Sequence, residues 1–164
     1  MALFVEFQIA NDGYLLAATQ VVQVLPLVDI KRIPRAPAGV AGVINYHGES
    51  VPVVDLSELA TGEPAARNLS TRLILVRYPD RTARERLLGV IAEKVTQTVR
   101  RESTDFVATG VASDAASYLG PVCTADGRLL QRVEVHKLLT ADVSDVLFRQ
   151  PEEDSWSSPE SKHC

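Results

Sequence analysis

Apolar and polar residues alternate with a period of two along most of this chain, the pattern of strands with one buried face. Leu3, Val5, Phe7 and Ile9 alternate with Phe4, Glu6 and Gln8; Asn11-Asp12-Gly13 then supplies a turn that tolerates positive φ, and residues 14–17 read as the returning strand. Residues 18–25 place Val21, Val22 and Leu25 at helical spacing before Pro26, which predicts a short helix or turn ended there. A weakly alternating strand over 27–33 runs into Pro34 and Pro37. Residues 43–56 read as two strands joined around His47-Gly48-Glu49, with Pro52 at an edge or a bulge because proline cannot donate to a ladder. One helical turn follows, with Ser57 as its expected cap, and then a loop over 61–70.

Residues 72–78 and 87–93 form an expected hairpin across an arginine-rich connection, and Val95, Gln97 and Val99 begin another strand. A small-residue loop over 103–117 leads to a second hairpin around Ala125-Asp126-Gly127. Residues 136–148 bring Leu138, Leu139, Val143, Val146 and Leu147 near helical spacing and predict a terminal helix. Nine or ten short strands with no long helices between them argue for an all-β barrel or pair of barrels and against an α/β fold. No internal repeat stands out.

Composition narrows the function. The 164 residues carry 17 Lys and Arg against 21 Asp and Glu, a net charge of −4. Glu152, Glu153, Asp154 and Glu160 account for most of that excess, so the body is near neutral and has no basic footprint for nucleic acid. The segment 149–164 reads as an acidic, disordered tail with Trp156 as its one large anchor. The opening residues lack the basic flank of a signal peptide, and no apolar run reaches a membrane span. Two distant cysteines, Cys123 and Cys164, fit a reducing cytoplasm better than a disulfide framework.

Candidate chemistry is sparse. His47, Ser50 and Asp55 could be imagined as a hydrolase set, but in an extended strand Ser50 and Asp55 have opposite parity, and no nucleophile elbow accompanies them. A small-barrel hydrolase using His47 and Asp55 is therefore a minor alternative. The three histidines are scattered and the cysteines lack ligand spacing, so neither a metal nor a cofactor is expected. What remains is an interaction protein, whose apolar contact surface is best sought over residues 30–45.

The segment 32–56 carries a specific pattern: Gly42, Val43, Ile44, Asn45, Gly48, Val51, Pro52, Val53, Asp55 and Leu56. In order and spacing these residues resemble the core signature of the chemotaxis coupling proteins, the CheW-like domain family. The resemblance extends in layout over about residues 1–148. It implies two SH3-like five-stranded β-barrels with short helices, including a C-terminal one, and no enzymatic activity. The first barrel is expected near 14–81, and the second near 82–148 with residues 1–13 added. The implied partners are the regulatory domain of a CheA-type histidine kinase and the cytoplasmic tip of a methyl-accepting chemoreceptor; the chain itself is expected to be a cytoplasmic monomer that does not enter the membrane. Receptor contacts are expected in the groove between the barrels and kinase contacts on the first barrel, involving Ile30, Ile33, Val40, Gly42, Asn45, Tyr46, His47 and Gly48. Pro52 and Asp55 are expected to be structural, with Asp55 accepting backbone hydrogen bonds at the strand exit.

One position departs from the family pattern. His47 stands where an arginine is usual, and Tyr46 where leucine is. A histidine near its ordinary pKa is mostly neutral at pH 7 and shorter than arginine, so an ion pair made there would be weakened. The departure suggests coupling to a divergent receptor, or a secondary coupling role with reduced receptor binding; a chemosensory pathway other than swimming is the alternative.

Overall fold

Seventeen consecutive residues, Glu85–Arg101, form one strand that the period-two pattern had divided in two. The computed structural model describes residues 1–110 and 116–148. Along that stretch run β1 (Ala2–Ile9), β2 (Asp12–Ala17), β3 (Val21–Pro26), β4 (Val40–Tyr46), β5 (Glu49–Asp55), α1 (Leu56–Thr61), β6 (Arg72–Pro79), β7 (Glu85–Arg101), β8 (Leu119–Ala125), β9 (Arg128–Val133) and α2 (Ala141–Leu147).

β7 belongs to two barrels. Its first half, through Ala92, pairs antiparallel with β6, and Gly89, Val90 and Ile91 also pair parallel with β5; with β3 and β4 these make the first barrel. Its second half pairs with β1, which continues to β2, β9 and β8 as the second barrel. Lys94 takes a positive φ of 49° at the changeover, and the β1 register slips between Glu6 and Gln8 opposite it. Such a bulge bends a strand sharply enough to leave one barrel for the next.

Each barrel closes on a lone bridge beyond its own strand ends. Lys31 and Val43 exchange backbone hydrogen bonds of 2.9 Å in the first barrel, and Val107 and Val122 exchange bonds of 2.8 and 2.9 Å in the second. Each also contains one parallel pair, β5 with β7 and β2 with β9. The barrels are thus a topological repeat. It is invisible in sequence because the second barrel is assembled from both ends of the described chain around the first.

This pairing corrects the expected division at residues 14 and 81/82. β2 belongs with β1 and β9 in the second barrel, and residues 85–92 belong to the first. Sequential proximity favours neither assignment; hydrogen bonding between distant segments decides. The expected tail, 149–164, lies outside the described residues.

Three apolar clusters follow from the strand parities. Ile44, Val51, Val53, Leu73, Leu75 and Ile91 fill the first barrel, and Phe4, Leu15, Cys123 and Leu130 the second. Val5, Phe7, Leu16, Val54, Ile74, Val76, Leu88 and Val90, drawn from both barrels, form the largest cluster, where one barrel faces the other. Strands touching two cores have both faces buried, which is why Leu73-Ile74-Leu75-Val76 is uninterrupted rather than alternating. Glu6 is buried as well, and accepts hydrogen bonds from Gln97 Nε2 and, at 3.4 Å, from Arg128 Nη2.

Local expectations fail where tertiary pairing outweighs propensity. Residues 18–20 form a single 3-10 turn, and the apolar residues after it belong to β3, hydrogen-bonded to β6. The first hairpin turns at Ala10-Asn11, φ 49° and 71°, leaving Gly13 inside β2 where Leu130 takes the space a side chain would need. Residues 27–33 form no strand beyond the Lys31 bridge. The terminal helix is shorter than expected, a 3-10 turn at 135–137 followed by α2, which Thr140 caps through a 3.3 Å bond from the Val143 amide.

The β6–β7 connection is organised by Asp80. Its Oδ1 accepts from the Thr82 hydroxyl (2.6 Å), the Thr82 amide (2.8 Å) and the Arg84 amide (3.1 Å), while Oδ2 accepts from Arg86 Nε at 3.0 Å. The Thr82 hydroxyl, opposed by burial and helped by Arg86 and the two amides, holds the carboxyl well below its ordinary value of 3.8. A carboxylate with a depressed folded-state pKa contributes stability above its unfolded value and loses it as pH falls. Thermal unfolding followed from about pH 5 to about pH 2 is therefore expected to show a steeper fall in Tm for the native chain than for Asp80→Asn.

Candidate functional site

The β4–β5 hairpin carries most of the expected partner-binding residues. Its two-residue connection, His47-Gly48, has φ of 50° and 84°, the paired left-handed conformation whose twist matches flanking strands. Asn45 Oδ1 accepts from the Gly48 amide at 2.8 Å and fixes the turn from inside. The Tyr46 hydroxyl donates to Gln23 Oε1 at 2.6 Å, tying the tip to β3 across the seam where the first barrel closes. The His47 ring meets the Tyr46 ring edge-on, centroids 4.3 Å apart, and is otherwise exposed.

The opposite end of β5 is closed by Asp55. Its Oδ1 accepts from the amides of Ser57 (3.0 Å) and Glu58 (3.2 Å), and its Oδ2 from the amide of Ala65 at 3.0 Å. Asp55 rather than Ser57 is thus the cap of α1, as well as the anchor of the loop that follows. Its carboxylate is buried and committed to backbone. His47 lies at the far end of the seven-residue strand, about 20 Å away by strand rise. The hydrolase alternative joining these two residues is corrected on geometry: they share no site.

Gly42 sits where the first barrel closes. Its φ is 146°, and a Cβ there would overlap the Lys31 carbonyl oxygen and crowd Ile30 Cγ2. Ile30 packs against the first-barrel core beneath this crossing, while Ile33 is partly exposed beyond it. Pro52 pairs with Val43 one residue before β5 begins to pair with β7, so its missing N–H leaves no gap in that second ladder.

A cavity of about 260 Å³ opens between the barrels. The first barrel contributes Val40, Val54 and Leu59, and the second Tyr118, Leu138 and Val143. Burial, then the neighbouring Tyr14, pushes the Tyr118 hydroxyl above its ordinary pKa. Of the expected contact residues only Val40 reaches this cavity. Ile30, Ile33 and Gly42 lie at the barrel seam, and Asn45 to Gly48 at the hairpin tip, the other end of β4. The residues that sequence reasoning missed, Leu59, Tyr118, Leu138 and Val143, come from three separate segments, and only the docking of one barrel on the other assembles them.

A family model described as the CheW-like domain matches residues 3–143, which takes in every strand of both barrels. This chain belongs to the CheW-like domain family. Among its relatives, the Chemotaxis protein CheW of Treponema pallidum is 25% identical over 147 residues, covering 84% of this chain and 81% of that protein. The Chemotaxis protein CheW of Helicobacter pylori is 25% identical over 103 residues, covering 63% of this chain and 59% of that protein, so the chain spans less than two thirds of that relative's length. The crystal structure of the scaffolding protein TtCheW from Thermoanaerobacter tengcongensis superposes with a TM-score of 0.74 at 22% identity, covering 87% of this chain and 90% of that one. That likeness shows the CheW-like double-barrel fold. Within this CheW-like chain, Gly42 holds the first barrel's seam, Asn45 and Gly48 its turn and Asp55 its strand exit, so their spacing reflects folding geometry.

Proposed function

We propose that this protein is a non-enzymatic coupling adaptor that holds a CheA-type histidine kinase against the cytoplasmic tips of chemoreceptors. The observation that carries this reading is the family match across both barrels. The kinase's regulatory domain docks on the first barrel, around Ile30 and Ile33. The receptor tip docks in the groove between the barrels, beside Val40, and extends along β4 to the Tyr46-His47 tip. Two barrels packed through one shared apolar cluster suit this role: a partner on one barrel bears on the other through packed side chains. The adaptor works in the cytoplasm, recruited to membrane-bound receptor arrays, and is a monomer when alone. No helix among the described residues is long and apolar enough to cross a membrane.

Calorimetric titration into the regulatory domain of a CheA-type kinase from the same organism tests the reading, with the receptor tip titrated next. Micromolar binding to the kinase is expected. Failure to bind any kinase of that organism would break the adaptor reading.

A second reading, reduced receptor binding in a pathway other than swimming, is favoured by His47. The ring is exposed and makes no ion pair among the described residues. His47→Arg is expected to strengthen receptor binding about two- to fivefold, the worth of one surface ion pair, while leaving kinase affinity unchanged. Receptor affinity unchanged by the substitution would count against it.

A further inference from the structure

We infer that the cavity between the barrels is the docking site of this chain's own C-terminal segment, residues 149–164, with Trp156 as the side chain that enters it. At about 260 Å³ the cavity is below the ~300–1,000 Å³ typical of sites for drug-sized ligands, and it suits a single large ring. Its walls are apolar apart from Ser117, Tyr118, Thr140 and Lys137. Trp156 is the chain's single tryptophan and the one large apolar residue after Phe148. A side chain of that kind contributes most when it fills a desolvated pocket.

Charge points the same way. Among the described residues Lys137 is the one charged residue lining the cavity, and its ammonium group makes no ion pair with any of them; neighbouring Glu134 is engaged instead by Arg132 and His136. Glu152, Glu153 and Asp154 stand two to four residues before Trp156. A ring seated in the cavity brings those carboxylates to the rim where Lys137 stands.

The connection has the necessary reach. α2 begins at the cavity, where Thr140 and Val143 line it, and ends at Phe148, whose ring stacks on Tyr78 with centroids 5.6 Å apart. Seven helical residues rise about 10 Å, and the eight residues from Phe148 to Trp156 span up to about 27 Å when extended. The segment is therefore long enough to reach back to the cavity. Because it is tethered, its effective concentration at the cavity is in the millimolar range, so a contact too weak to hold a free peptide holds this one. If the receptor tip uses the same groove, segment and receptor exclude one another. That consequence rests on the proposed receptor contact; the docking of the segment does not.

Trp156 fluorescence tests the inference without any partner. In the full chain, excited at wavelengths where the tyrosines are silent, emission is expected to be blue-shifted from that of a synthetic peptide of residues 149–164. Quenching by acrylamide is expected to be several-fold weaker. Lys137→Glu, an exposed substitution, and Val143→Asp at the cavity wall should each return emission and quenching toward the peptide values while circular dichroism stays unchanged; should Val143→Asp fail to fold, Lys137→Glu carries the test. Emission and quenching in the native chain equal to those of the peptide would overturn the inference. So would a protected Trp156 that Lys137→Glu leaves protected, or protection lost on dilution, which would place the segment on a second copy of the chain.

Discussion

Gly42→Ala is expected to cost the fold about 4 kcal/mol or more, a large part of the 5–15 kcal/mol that holds a typical domain together. Two effects add at this position. The backbone φ of 146° lies in a region that L-residues rarely adopt, and the new methyl would overlap the Lys31 carbonyl oxygen. That oxygen is not free to retreat, because it accepts the Val43 amide at 2.9 Å in the bridge that closes the first barrel. Relieving the overlap means opening the seam, and with it the ground on which Ile30 and the hairpin rest. Gly48→Ala is the control: it too has positive φ, 84°, but nothing lies within 4 Å of its added Cβ, so a loss of about 1 kcal/mol is expected. Chemical denaturation of both variants distinguishes them. Similar midpoints would mean that the Lys31 crossing relaxes easily and that strain alone accounts for the glycine.

Asp55→Ala is expected to destabilise the protein by about 2–4 kcal/mol. Loss of a helix cap alone costs about 1 kcal/mol, and the remainder comes from leaving the buried Ala65 amide without its acceptor. Asp55→Asn keeps one carbonyl oxygen for the cap and should lose about half as much. The expected signature in binding is an unfolding midpoint that falls in both variants while partner affinity, measured well below the midpoint, stays native. An unchanged midpoint with lost affinity would instead make Asp55 a contact residue, which its three backbone hydrogen bonds argue against.

Local chemistry made much of the hairpin legible. His47-Gly48 and Asp126-Gly127 both turn with paired positive φ values, as residues able to take the left-handed region should when they stand between alternating strands. The carboxylate at Asp55 was readable as a strand-exit acceptor, though its third bond, to Ala65 ten residues on, was not. Misreadings cluster where a segment's partner is remote. Val21, Val22 and Leu25 have helical spacing, yet β6 offers them a ladder, and hydrogen bonds to a distant strand outweigh a weak local preference. The expected contact set divided for the same reason: Val40 and the His47 turn are near in sequence but stand at opposite ends of β4.

The sequence by itself determined that this chain is built of short strands, where several of its tight turns fall, and which carboxylate closes a strand exit, because those features depend on periodicity, on φ values that few residues tolerate and on local hydrogen bonding. It also carried the family pattern. Only the tertiary structure decided which of three apolar clusters each buried face enters, and that β7 serves both barrels. Pairing between segments as distant as β1 and β7 has no local signature. The inter-barrel cavity is a product of that pairing: Val40, Leu59, Tyr118 and Leu138 meet because two barrels dock, and no spacing along the chain foretells it.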